Sequence, residues 1–523
     1  MTSRIPIFLL CALAACAVAV CAQAADWPFW GSGPGRNMFA EVKGLPHWFD
    51  PGEYIKGSED VDLNTTKNVK WVVRLGSQAY GNPTVAGGKV FAGTNNEAPS
   101  NPKYVGDRGV VKCFDEATGK FLWQLVIPKL GAGKVSDWEF LGICSSPAVV
   151  GDRVYIMTNR CEVVCLDANG MANGNDGPFL EEAEYVQAPP AAGAPPPPPI
   201  EIGPDDADII WRFDIREELG VFPHNITSSS VLIVGDRVYA TTSNGQDWSH
   251  VNIPSPFAPA LICLDRHTGE LLGEEASGIS QRMFHCNWSS PAYGEVDGKG
   301  MVFFGAGDGF CYAFDPEPVD GPDGYRILKE IWRYDCNPPE HKQDPSGKPY
   351  KYPDPNGPCE IIATPVFQKN RIYVAVGQDP EHGDGVGNLS CINAAGSGDI
   401  TSTGKVWNYK DIRRTMSTCS IADGLLFISD YPGHVRCLDP ETGTEHWVHD
   451  TKAHIWGSTF VADGKVYIGN EDGILTILEA GKEKKVIEEI EFRAPIYSTP
   501  IVANGVLYVG TQTHLYAIQE SGK

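Results

Sequence analysis

The stretch Thr418 to Trp447, TCSIADGLLFISDYPGHVRCLDPETGTEHW, decides the fold, because versions of it recur from residue 82 to the end of the chain. An apolar run reaches a turn at Asp423-Gly424, the alternating run LLFIS follows, a polar break at 430–433 precedes HVRCLD, and Thr442-Gly443 leads into Trp447. Alternation with a period of two, punctuated by Asp-Gly and Thr-Gly turns, predicts four short antiparallel strands.

Eight copies align on the residue after an opening small residue: Pro83, Pro147, Ser230, Pro291, Pro365, Ser420, Phe460 and Pro500. The last three anchors stand forty residues apart, and the longer earlier spacings carry insertions. A four-stranded unit of this length cannot bury both faces alone, so the copies must stack. Four strands per repeat around an axis make an all-β, eight-bladed propeller over residues 69–518. The eighth copy supplies only three strands, and its Trp-bearing fourth is found before the first copy, at Val69 to Arg74. That N-terminal strand is expected to close the ring without an exposed edge.

The repeat xxCLDxxTGxxxW, clearest in CFDEATGKFLW (113–123) and CLDPETGTEHW (437–447), resembles that of pyrroloquinoline-quinone-like (PQQ-like) β-propellers. That family includes quinoprotein alcohol dehydrogenases and the lipoprotein propeller of the outer-membrane β-barrel assembly machine. The Trp-rich segment at 25–68, opening DWPFWGSGPGRN, is similar to that of secreted planctomycete-type members. The resemblance implies the fold; PQQ and Ca²⁺ are possible cofactors by resemblance only, since one fold hosts many functions. A quinoprotein dehydrogenase would add a vicinal cysteine pair, and this chain has no adjacent cysteines.

Residues 1–24 read as a signal peptide: Arg4, an apolar core and Ala22-Gln23-Ala24 as a cleavage site. A lipobox at Leu13 to Cys16 is the alternative, leaving an anchor on Cys16. Either makes the mature chain extracytoplasmic, and a monomer is expected. The net charge of −24 argues against nucleic acid and anionic membrane as partners. GxxxxGK[ST], GxSxG, HExxH and CxxCH are all absent, so phosphate-loop, serine-hydrolase, zincin and covalent-haem chemistry lack their residues.

Cys113, Cys165, Cys263, Cys391 and Cys437 share one register, where other blades have Ala313, Ile477 and Ala517. A position accepting Cys, Ala or Ile is a buried packing site, so these read as core thiols. Cys336 and Cys359 bracket the polar, Pro-rich insertion NPPEHKQDPSGKPYKYPDPNGP and are expected to be joined. The Pro-rich insertion at about 186–204 of blade 2 reads as a semi-rigid excursion on one face. Insertions at 126–143, 243–259, 335–361 and 377–388 fall on the other face and suggest a binding mouth.

Counting six residues back from the anchors gives His224, His285, Arg414 and His454, with Glu360 one residue further along in blade 5. Equal offset implies similar height. With Trp288, Trp456, Tyr80 and Tyr497 they should rim a funnel suited to a polar organic ligand, with a transition metal at His224 and His285 as the minor variant. The plainer alternative is that they only hydrogen-bond the rim loops. Asp379, Glu381, His382 and Asp384 offer Ca²⁺-type ligands without EF-hand spacing. Two functions follow: a non-catalytic scaffold binding a protein, polymer or small ligand, or a PQQ-dependent dehydrogenase.

Overall fold

The computed structural model describes residues 25–31, 33–190, 193, 195 and 197–520. The leader at 1–24 and Cys16 lie outside the described residues. Eight sheets surround an axis, each antiparallel through its four repeat strands. The innermost strands are Thr84–Ala86, Ala148–Val150, Leu232–Val234, Ala292–Val296, Val366–Gln368, Ser420–Ala422, Phe460–Ala462 and Ile501–Ala503. Val69–Arg74 pairs with His514–Ile518, so N-terminal residues complete the eighth blade as expected. Three blades exceed four strands, because short segments join the outer edges of blades 3 and 4 and the inner edge of blade 7.

The tryptophan in the repeat locks neighbouring blades together. Each sits on an outermost strand opposite the Cys/Ala register, as in Cys437↔Trp447 and Ala517↔Trp71. Its indole crosses to the following blade and donates to a carbonyl of the turn before that blade's outer strand. Trp71 reaches Glu116 O at 3.0 Å, Trp123 Ala168 O, Trp211 Arg266 O, Trp332 Ala394 O, Trp407 Pro440 O and Trp447 Gly481 O. At four of these joints the ring also lies against a turn glycine: Trp71 on Gly119, Trp123 on Gly170, Trp211 on Gly269 and Trp407 on Gly443. A Cβ at Gly443 (φ +72°) would sit 2.7 Å from Trp407 Cδ2, so glycine serves both the left-handed backbone and the close approach. Blades 3 and 7 carry Gly273 and Glu488 where the others have tryptophan. Pro318 packs on Gly273, in the segment leading to the added strands Val319–Asp320 and Arg326–Leu328.

A second belt runs around the channel. The backbone N–H of Asn82 donates to Ser146 Oγ, Ser146 to Ser230 Oγ and Ser230 to Ser290 Oγ. It continues from Thr364 to Thr418 Oγ1, Thr418 to Ser458 Oγ, Ser458 to Thr499 Oγ1 and Thr499 to Asn82 Oδ1. At the remaining joint, between Ser290 and Thr364, the Thr364 hydroxyl accepts instead from the Trp30 indole at 3.0 Å.

Trp30 belongs to a segment that closes the channel floor. Trp27 O, Pro28 O, Pro34 O, Gly35 O and Met38 O accept from Val85, Val149, Tyr293, Phe367 and Val461, one inner strand each, and Asn37 Oδ1 accepts from Ile421. Arg36 is fully buried and donates to Trp30 O, Val231 O and Pro291 O at 2.6–2.8 Å. Opposite this floor lies the mouth, where the chain enters each inner strand.

The expected bridge between Cys336 and Cys359 is not formed; both are free, buried thiols. The insertion ends enter the hydrophobic core, and Asn337 ties them: its Nδ2 donates to Cys359 O at 2.7 Å and its Oδ1 accepts from Cys359 N–H at 2.9 Å. The five in-register cysteines are likewise free and buried. Part of the blade 2 insertion, at 191–192, 194 and 196, lies outside the described residues. Its described N-terminal flank packs along the blade, with Tyr185 and Val186 in the core and the Tyr185 hydroxyl on Glu162 Oε2 at the mouth-side end of the third strand.

Gly443→Ala is expected to cost about twice Gly424→Ala. Both have positive φ, worth about 1–2 kcal/mol, but only Gly443 lies under an indole, and a Cβ at Gly424 meets nothing within 4 Å. Thermal midpoints of the two variants check this; equal shifts would remove the stacking argument. Alkylation of denatured, unreduced protein should label Cys336 and Cys359 fully, and a linked 336/359 peptide would contradict the free thiols.

Candidate functional site

The channel is a blind cup. Trp30 lies among its lining, belt hydroxyls form its wall, and its cavity measures about 160 Å³. Tyr80, Trp288, Trp456 and Tyr497 stand around it. The residues of equal offset do reach the mouth, but they separate into two groups.

The first group spans blades 3 to 5. His224 and His285 are buried with their Nε2 atoms 2.6 Å apart. His224 Nδ1 faces the Gln246 carbonyl at 2.6 Å, which requires Nδ1 to donate and leaves Nε2 as a bare lone pair. His285 Nδ1 meets the Tyr352 hydroxyl at 3.0 Å; that hydroxyl also contacts Glu360 Oε1 at 3.0 Å and His382 Nδ1 at 3.2 Å. Burial pushes the Glu360 carboxyl up to about 8 and pulls His224 and His382 down to about 4 and His285 to about 2. The imidazoles are therefore neutral at pH 7. Gly245 passes so close to His224 that a Cβ would lie 2.4 Å from the histidine Cβ. Trp288 packs against both imidazoles.

The second group spans blades 6, 7, 8 and 1. Tyr80 stacks on Tyr497 with centroids 4.8 Å apart, and Trp456 approaches both. His454 stacks on Tyr431 and bonds Glu471 Oε2 at 3.0 Å, and Glu471 Oε1 accepts from the Tyr497 hydroxyl. The Trp456 indole N–H is buried without a partner among the described residues.

Arg414 belongs to neither group. Its guanidinium donates to the Asp354, His382 and Gly383 carbonyls, fastening two insertions to each other, and Gly385 leaves room for it. The acidic tract does not converge into an oxygen cage. Asp379 is buried against Asn225 and caps its own turn, Glu381 and Asp384 are exposed, and His382 turns to Tyr352. Sequence reasoning missed Tyr352 and His250. Both lie on insertions outside the repeat register, where no periodic signal exists. Among the described residues, two triads could hold an ion: His224, His250 and His285, and the acidic Asp167, Asp176 and Asp208.

Residues 107–172 and 431–523 match a family described as Outer membrane protein assembly factor BamB, whose repeat is the PQQ-like one. The chain is an eight-bladed β-propeller, and these two stretches of it are similar to the PQQ-like repeat. No curated protein matches it significantly in sequence. Among solved structures, BamB from Moraxella catarrhalis is 14% identical with a TM-score of 0.53, over 86% of this chain and 99% of that one. A europium-containing methanol dehydrogenase is 11% identical (TM-score 0.47, 93% and 89% covered). The quinohemoprotein alcohol dehydrogenase of Comamonas testosteroni is 14% identical (TM-score 0.46, 96% and 82% covered). At these identities the likeness concerns the fold alone.

The quinone that gives this repeat its name is a tricarboxylate and needs cationic partners. No arginine or lysine lines the axial cup. Arg36 is committed to three carbonyls beneath it and Arg414 to three above. The cup of this propeller does not fit the cofactor.

Proposed function

We propose that this propeller is an extracytoplasmic, non-catalytic binding protein that takes a polar organic ligand at the mouth of its axial cup. The observation carrying this reading is the blind cup itself. It is closed below by Trp30 and rimmed by the faces of Tyr80, Trp456 and Tyr497, with an unpartnered Trp456 N–H and the Glu471 carboxylate supplying polar contacts. Aromatic faces with a few hydrogen-bonding groups suit a flat, hydroxyl-rich molecule or the end of a polymer. The leader at 1–24 and the outer-membrane description of the matched family support export. Among the described residues, no helix is long and apolar enough to cross a membrane.

Protein purified from its own host is expected to lack a quinone absorption band, and addition of PQQ with Ca²⁺ should give no alcohol-dependent dye reduction. A stoichiometric quinone chromophore or such turnover would make it a dehydrogenase. Native mass spectrometry of the same preparation should find a small-molecule adduct that a Trp456→Ala/Tyr497→Ala variant loses. An adduct retained by the variant would put the ligand elsewhere.

A further inference from the structure

We propose that His224, His285 and His250 form a binding site for a divalent transition metal of the Zn²⁺ type, at the mouth-side junction of blades 3 and 4. The ligand nitrogens of the three residues lie within 4.8 Å of one another. This inference does not depend on a ligand occupying the axial cup.

The buried pair carries the argument. The Gln246 carbonyl fixes the His224 tautomer so that its Nε2 lone pair points at His285 Nε2, 2.6 Å away. Two imidazole nitrogens that close need either a hydrogen between them, carried by His285 Nε2, or a metal ion in its place. A metal-ligating histidine characteristically donates its other N–H to a carbonyl, carboxylate or water, and each Nδ1 here has a polar partner placed to receive it. His224 uses Gln246 O; His285 uses Tyr352, whose hydroxyl leans on Glu360. Glu360 Oε2 is buried without a partner among the described residues. Tetrahedral zinc at about 2.0–2.1 Å sets ligand nitrogens roughly 3.3 Å apart, so the two rings need separate by less than about 1 Å.

His250 supplies the third nitrogen from an exposed loop. Its ring centroid is 5.1 Å from each of the other two. The loop is preset: the Asp247 carboxylate accepts from Ser249 N–H, Ser249 Oγ and Asn252 Nδ2, and His250 N–H donates to Asp247 O. His250 also borders a solvent-facing cleft of about 320 Å³ with Lys134, Trp138, Trp248 and Glu381, which provides an entry path and room for a fourth, exchangeable ligand. Three imidazoles with one open position match the nitrogen preference of zinc and copper rather than the all-oxygen shells of Ca²⁺ or Mg²⁺.

Full-length mature protein, stripped with a chelator and desalted, should take up one equivalent of Zn²⁺, read by competition with a chromogenic chelator, and gain thermal stability on loading. His224→Ala should weaken uptake by about 100-fold or more, and His250→Ala by about 10-fold or more. His250 is exposed, so its variant keeps the test valid if the buried substitution does not fold. Asp167→Asn, in the separate acidic triad, should bind as wild type does. Failure of the wild-type protein to bind Zn²⁺ at millimolar concentration would mean that the pair shares only a proton. Uptake unchanged in both histidine variants, or lost in Asp167→Asn alone, would also overturn the site.

Discussion

A propeller built around an open axis has one unavoidable difficulty: its innermost strands are edges, and their inward N–H groups face a channel rather than another strand. Buried amides left without acceptors are costly, on the order of 1–3 kcal/mol each. Here two sets of acceptors meet them. Side chains of Asn82, Ser146, Ser230, Ser290, Thr418, Ser458 and Thr499 accept from the neighbouring blade, and carbonyls of the 27–38 segment accept three residues further along in five of the blades. The only joint lacking its belt bond is where the Trp30 indole takes the Thr364 hydroxyl, so floor and belt form one hydrogen-bonded unit. The cup is blind because the edges must be satisfied, and that leaves the mouth as its open end.

The outer radius is held by a different device with the same logic. Each indole donates across a blade joint to a turn carbonyl, and Trp71, Trp123, Trp211 and Trp407 also cover a glycine that makes the approach possible. Inner belt and outer indoles together fix neighbouring blades rigidly, and a rigid ring can hold side chains from blades 3, 4 and 5 in one polar cluster. His224, His285, Tyr352 and Glu360 come from different repeats, yet their contacts fall between 2.6 and 3.0 Å. Tyr352 joins the cluster from an insertion whose tip is fastened by Arg414.

Much of this was legible in the sequence because it repeats. The period fixed blade number, the position of each tryptophan and the closing strand at Val69–Arg74. The small residue before each anchor was visible only as an alignment mark. Its role as acceptor for the preceding blade exists only once copies are stacked, and no single repeat contains both partners. Residues 27–38 have no periodicity, so nothing local announced that their carbonyls would be spaced to meet successive blades. Equal offset singled out His224 and His285, which the fold brings together, and His454, which it places beside Tyr431 and Glu471. It could not give azimuth, so one ring of residues became a histidine cluster and an aromatic cup. Arg414 shared the offset but was drawn off to loop carbonyls. The 336/359 bridge was inferred from the polarity of the loop, whereas the ends of that loop are core residues already held by Asn337.

The central claim is that the floor segment and belt seal the inner edges as one unit. Hydrogen exchange of the intact protein, followed by mass spectrometry, tests it directly. Peptides covering residues 27–38 and the inner strands at 84–86, 148–150 and 366–368 should exchange together and as slowly as the central strands of their blades. Exchange of 27–38 within seconds while the central strands stay protected would mean that the floor is a loose tail and the channel is open at both ends.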